Sequence, residues 1–208
     1  MPRDVPWGAE RLKATARIDV LRREPRITVK RPGGLGEPIV IDPGVLQREL
    51  RPSLELAAGF DATAREPDAR SVLWNDGTNR LIVQLDDAEV RIGAAVIDVS
   101  MTVRCDQIGE DRVTCTFVTT PLERAAGFVW ATESRPRGPA VVVELWGEAL
   151  VALVWRSLIE IASLAAATRG ADAAGRPLVP STVVATPDGL LVVPMAAHRF
   201  MRVNRTIR

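Results

Sequence analysis

The chain has no tyrosine, one histidine, two cysteines and two lysines, Lys13 and Lys30, among 208 residues. Two cysteines exclude the disulfide framework that staples small secreted domains. One histidine leaves His198 as the sole imidazole for general-base chemistry. A lone histidine beside a basic tail reads first as a surface residue. No Cys-x-x-Cys occurs, and no serine sits in a G-x-S-x-G elbow. The nearest approach to a phosphate loop is Gly33-Gly34-Leu35-Gly36. Neither Lys-Ser/Thr nor a glycine opening a helix follows it, so Pro32–Pro38 reads as a connector. The N-terminal stretch MPRDVPWGAERLK has no apolar segment, which predicts no signal peptide. These absences lean away from an enzyme. They predict a soluble, cytoplasmic protein with no cofactor and no metal.

What is present begins with one long apolar run, Glu148–Arg169, closed by Gly170. Leu150, Leu153, Val154, Trp155, Leu158, Ile161, Ala162 and Ala165 recur with a helical period. Glu148, Ala152, Arg156, Glu160, Ser163 and Ala167 gather on one narrow polar face. A helix this apolar is covered on more than one side. Gly170 suits the left-handed position past a helix end. The upstream Ala140–Leu145 reads either as the first helical turns, with Pro139 at N1, or as a separate buried strand. Its three successive valines favour the strand, with Gly147 as the break. Glu148, Arg156 and Glu160 lie inside the run and oppose a membrane span, at a few kcal/mol each near a bilayer centre.

Charge is unevenly spread. Residues 1–31 hold nine Lys/Arg against four Asp/Glu, and residues 189–208 hold four Arg and no acid. With a whole-chain charge of +1, the intervening body carries −8. The tail HRFMRVNRTIR places Arg199, Arg202, Arg205 and Arg208 at every third position, a candidate interaction segment.

Residues 1–13 read as a loosely held lead-in. Ala14–Arg31 reads as a hairpin, with a helix over Ala9–Arg23 as the alternative. Ile39–Ile41 is a short strand turned by Asp42-Pro43-Gly44, followed by about one helical turn over Val45–Leu50. Asp61–Arg70 is a polar loop. Val72–Trp74 and Leu81–Leu85 flank NDGTN as a hairpin. Ala88–Gln107 reads as one very long strand whose apolar parity changes at Gly93–Ala95, which predicts a β-bulge there. Val113–Thr119 follows. Matching the apolar faces pairs Val103 with Phe117 and Cys105 with Cys115 around a loop Gly109-Glu110-Asp111. The two thiols would then be cross-strand neighbours. That allows a redox pair or half a metal site, but two small buried hydrophobes is the favoured reading. Phe128–Trp130 adds a short strand. Leu178–Val184 and Leu190–Val193 flank Thr186-Pro187-Asp188-Gly189, and their unbroken apolar character predicts strands covered on both faces.

Three further groups are weighed for function. Asp86, Asp87 and Glu89 form an acidic cluster at a turn, where carboxylates are ordinarily solvated. Asp98, Ser100, Thr102 and Arg104 form a polar strand face, which lines a pocket if the sheet curls and meets water if it stays open. Trp130, Trp146 and Trp155 gather around the helix and read as core. The expected fold is a single α+β domain over 1–208: an antiparallel, meandering sheet packed against one long helix in the C-terminal half. The expected function is a non-enzymatic assembly or scaffolding subunit that contacts itself or other protein subunits. The alternative is a small-molecule-binding protein or enzyme with a pocket in a curled sheet. Nucleic-acid binding through the basic tail is the third, less favoured reading.

Overall fold

The computed structural model describes residues 3–6, 37–58, 71–75, 77–119 and 131–197. The expected hairpin over 14–31, the polar loop over 61–70, the strand over 128–130 and the tail beyond 197 lie outside them. Among the described residues, ten strands and two helices run in the order β1 (Arg3–Pro6), β2 (Ile39–Ile41), α1 (Pro43–Ala57), β3 (Ser71–Asn75), β4 (Arg80–Gln84), β5 (Glu89–Gly93), β6 (Val96–Cys105), β7 (Gly109–Thr119), β8 (Ala131–Arg137), α2 (Ala140–Thr168), β9 (Leu178–Thr186) and β10 (Gly189–Ala196). The class is α+β, with antiparallel pairing throughout except between β1 and β3.

The strands sort into two sheets. One follows β1-β3-β4-β6-β7-β8, with β5 sharing an edge of β6 with β4; the other follows β2-β10-β9. The start of the chain is a parallel edge strand there, Arg3 opposite Val72, where a loose lead-in was expected. Alternation along β6 buries Ile97, Val99, Met101, Val103 and Cys105, and β7 adds Val113, Cys115 and Phe117 to the same face. Residues 180–185 of β9 are buried without interruption, as its unbroken apolar run predicts.

Helix α2 packs against α1 and against strands of both sheets. It is long and apolar enough to cross a membrane by composition, but 67% of its most apolar window is buried inside the fold. It begins at Ala140, so the valines of Ala140–Leu145 are helical and the strand reading is corrected. Pro139 sits at the N-cap. Tertiary burial outweighs the small helical penalty of β-branched residues: Val142 is wholly buried. Gly147 lies within the helix and makes no break, and its missing side chain leaves room for the Pro136 ring of β8. A Cβ there would come within 2.9 Å of Pro136 Cγ. Gly170 takes the expected left-handed conformation, at φ 82°. Trp146 stacks on Trp74 with ring centroids 6.3 Å apart, and Trp155 meets Phe117 at 5.3 Å. Both helix tryptophans are therefore core residues.

Helix α1 exceeds the single turn expected. Asp42 caps it by accepting from the Gly44 amide at 2.7 Å, and Pro43 occupies its first turn. Pro52 lies inside the helix, and Leu46, Leu50 and Leu54 of its buried face hold it against the core. The Gln47 amide ties α1 to the sheet, donating to Ala88 O and accepting from Val90 N, both at 2.8 Å.

Candidate functional site

The parity change at Gly93–Ala95 is a hairpin, and no bulge occurs there. Gly93 pairs with Val96 across Ala94-Ala95, with Ala95 at φ 63°. The chain reverses there, so the long strand expected over Ala88–Gln107 is two antiparallel strands. Arg91 stands opposite Asp98 and Glu89 opposite Ser100.

The β6–β7 register also differs from expectation. Cys105 pairs with Gly109 and Cys115 with Val99, around a turn at Asp106-Gln107-Ile108. The two cysteines share a face but lie six positions apart along β6. That is about 20 Å at the rise of a strand, too far for a disulfide or a shared metal. Parity alone permits either register. The exposed residues Glu110–Arg112 extend β7 and select this one. Burial pushes the Cys115 thiol up to about 12, so it is a neutral hydrophobe at physiological pH.

The polar face of β6 is crossed by hydrogen bonds between neighbouring strands. The Thr116 hydroxyl donates to Asp98 Oδ1 at 2.5 Å, and Arg137 donates to the Thr116 oxygen at 2.8 Å and to Asp98 at 3.4 Å. Ser100 and Thr114 share a hydrogen bond of 2.8 Å. The Thr102 hydroxyl donates to Asp87 Oδ2, and its amide donates to Asp87 Oδ1 at 3.2 Å. Arg104 is exposed opposite Glu110. The four singled-out residues share one face, where Asp98, Ser100 and Thr102 bond Asp87, Thr114, Thr116 and Arg137 and Arg104 does not join them.

The acidic turn is neutralised in the same way. Arg51 of α1 pairs with Asp86 at 2.7 Å and Arg112 pairs with Glu89 at 2.9 Å, while Asp87 faces Thr102. Among the described residues, no three His, Cys, Asp or Glu side chains are grouped to hold a metal ion. In the loop after α2, Arg176 holds the Asp172 carboxyl below its usual range, through a side-chain hydrogen bond first and its backbone amide second. His198 and the tail arginines lie outside the described residues.

Sequence reasoning missed one concavity. A cleft of about 140 Å³ lies where the β3–β4 and β6–β7 turns meet the start of α2, lined in part by Arg80, Cys105, Asp106, Val141, Leu145 and Trp146. Its parts come from positions far apart in the chain, so no local signal announces it. Compared with known proteins, the chain matches no family model, no curated protein and no solved structure. The class that can be stated is therefore structural: an α+β protein whose two antiparallel sheets share a long core helix.

Proposed function

We propose that the protein is a non-enzymatic assembly or scaffolding subunit that self-associates. The observation that carries this reading is the segregation of charge: basic segments at residues 1–31 and 189–208 enclose a body of charge −8. Opposite fields on different parts of one chain favour contacts between copies, and such contacts weaken with salt. Exposed apolar side chains at Val40, Val45, Leu56 and Leu164 add surface that association can cover. The test is light scattering behind size exclusion at two salt concentrations. The reading expects a defined oligomer that dissociates at the higher salt. A monomer at high protein concentration and low salt would sink it.

The second reading, a small-molecule-binding protein, is favoured only by the cleft beside α2. At about 140 Å³ the cleft is smaller than the roughly 300–1,000 Å³ of sites that enclose a drug-sized ligand.

A further inference from the structure

We draw no further inference here: the strongest candidate, the cleft where the β3–β4 and β6–β7 turns meet the start of α2, is an open hollow whose two charged lining residues, Arg80 and Asp106, are both exposed, and nothing in the structure shows what covers it.

Discussion

Thr119 of β7 stitches the two sheets together by bonding Ala185 of β9 in the other sheet. Its hydroxyl oxygen accepts from the Ala185 amide of β9 at 3.0 Å, and the hydroxyl donates to Ala95 O at 3.3 Å. The Thr119 amide donates to the same carbonyl at 2.8 Å, and the Ala95 amide donates to Ala185 O at 3.1 Å. Thr119 is 1% exposed, so water does not replace these partners. Thr119→Val keeps the shape but leaves the Ala185 amide without its acceptor. The expected cost is about 1–3 kcal/mol in a urea melt, with Thr119→Ser close to the parent. A valine variant as stable as the parent would show that the hydroxyl does not hold the junction.

Gly147 tests how closely α2 approaches β8. Gly→Ala inside a helix ordinarily gains up to about 1 kcal/mol. Here the new methyl meets the Pro136 ring at 2.9 Å. Overpacking of this kind costs about 1–3 kcal/mol, so Gly147→Ala is expected to destabilise. Adding Pro136→Ala removes the obstacle, and a double-mutant cycle should recover part of the loss. A gain in stability from Gly147→Ala alone would mean the helix and strand stand further apart.

Cys115 makes stability fall in alkali. Its thiol is held up to about 12 in the fold, against about 8.5 in an unfolded chain. Between those values the native state keeps a proton that the unfolded state has lost. The contribution is therefore complete below about pH 8.5 and declines above it, by roughly 1.4 kcal/mol per pH unit. Cys115→Ala should flatten this slope in melts taken from pH 8 to 10. The native thiol should also resist iodoacetamide at pH 8, and rapid alkylation of Cys115 in the folded protein would contradict its burial.

Much of the sheet was legible because alternation reports facing directly. The inner sides of β6 and β7 follow from Ile97–Cys105 and Val113–Phe117, and the β9–β10 turn follows from Pro187-Asp188-Gly189. The candidate face of β6 was legible as polar, but its hydrogen bonds were not, because Thr116, Arg137 and Asp87 come from three other segments. The cleft was illegible for the same reason. Helix α1 was under-read because Pro52 imitates a helix end; it persists because its leucines are buried in the core.

By itself, the sequence determined the α+β class, the core helix with its Gly170 end, the inward parity of the strands and the segregation of charge. Each is written in local spacing or composition, which requires no knowledge of distant partners. Only the tertiary structure decided the β6–β7 register, since a shift of six residues leaves every side chain on the same face. It also decided the hairpin at Ala94-Ala95, since a bulge and a reversal change parity alike. The helical state of Ala140–Leu145 was settled in the same way: the valines there obey the neighbours that bury them more than their own preference.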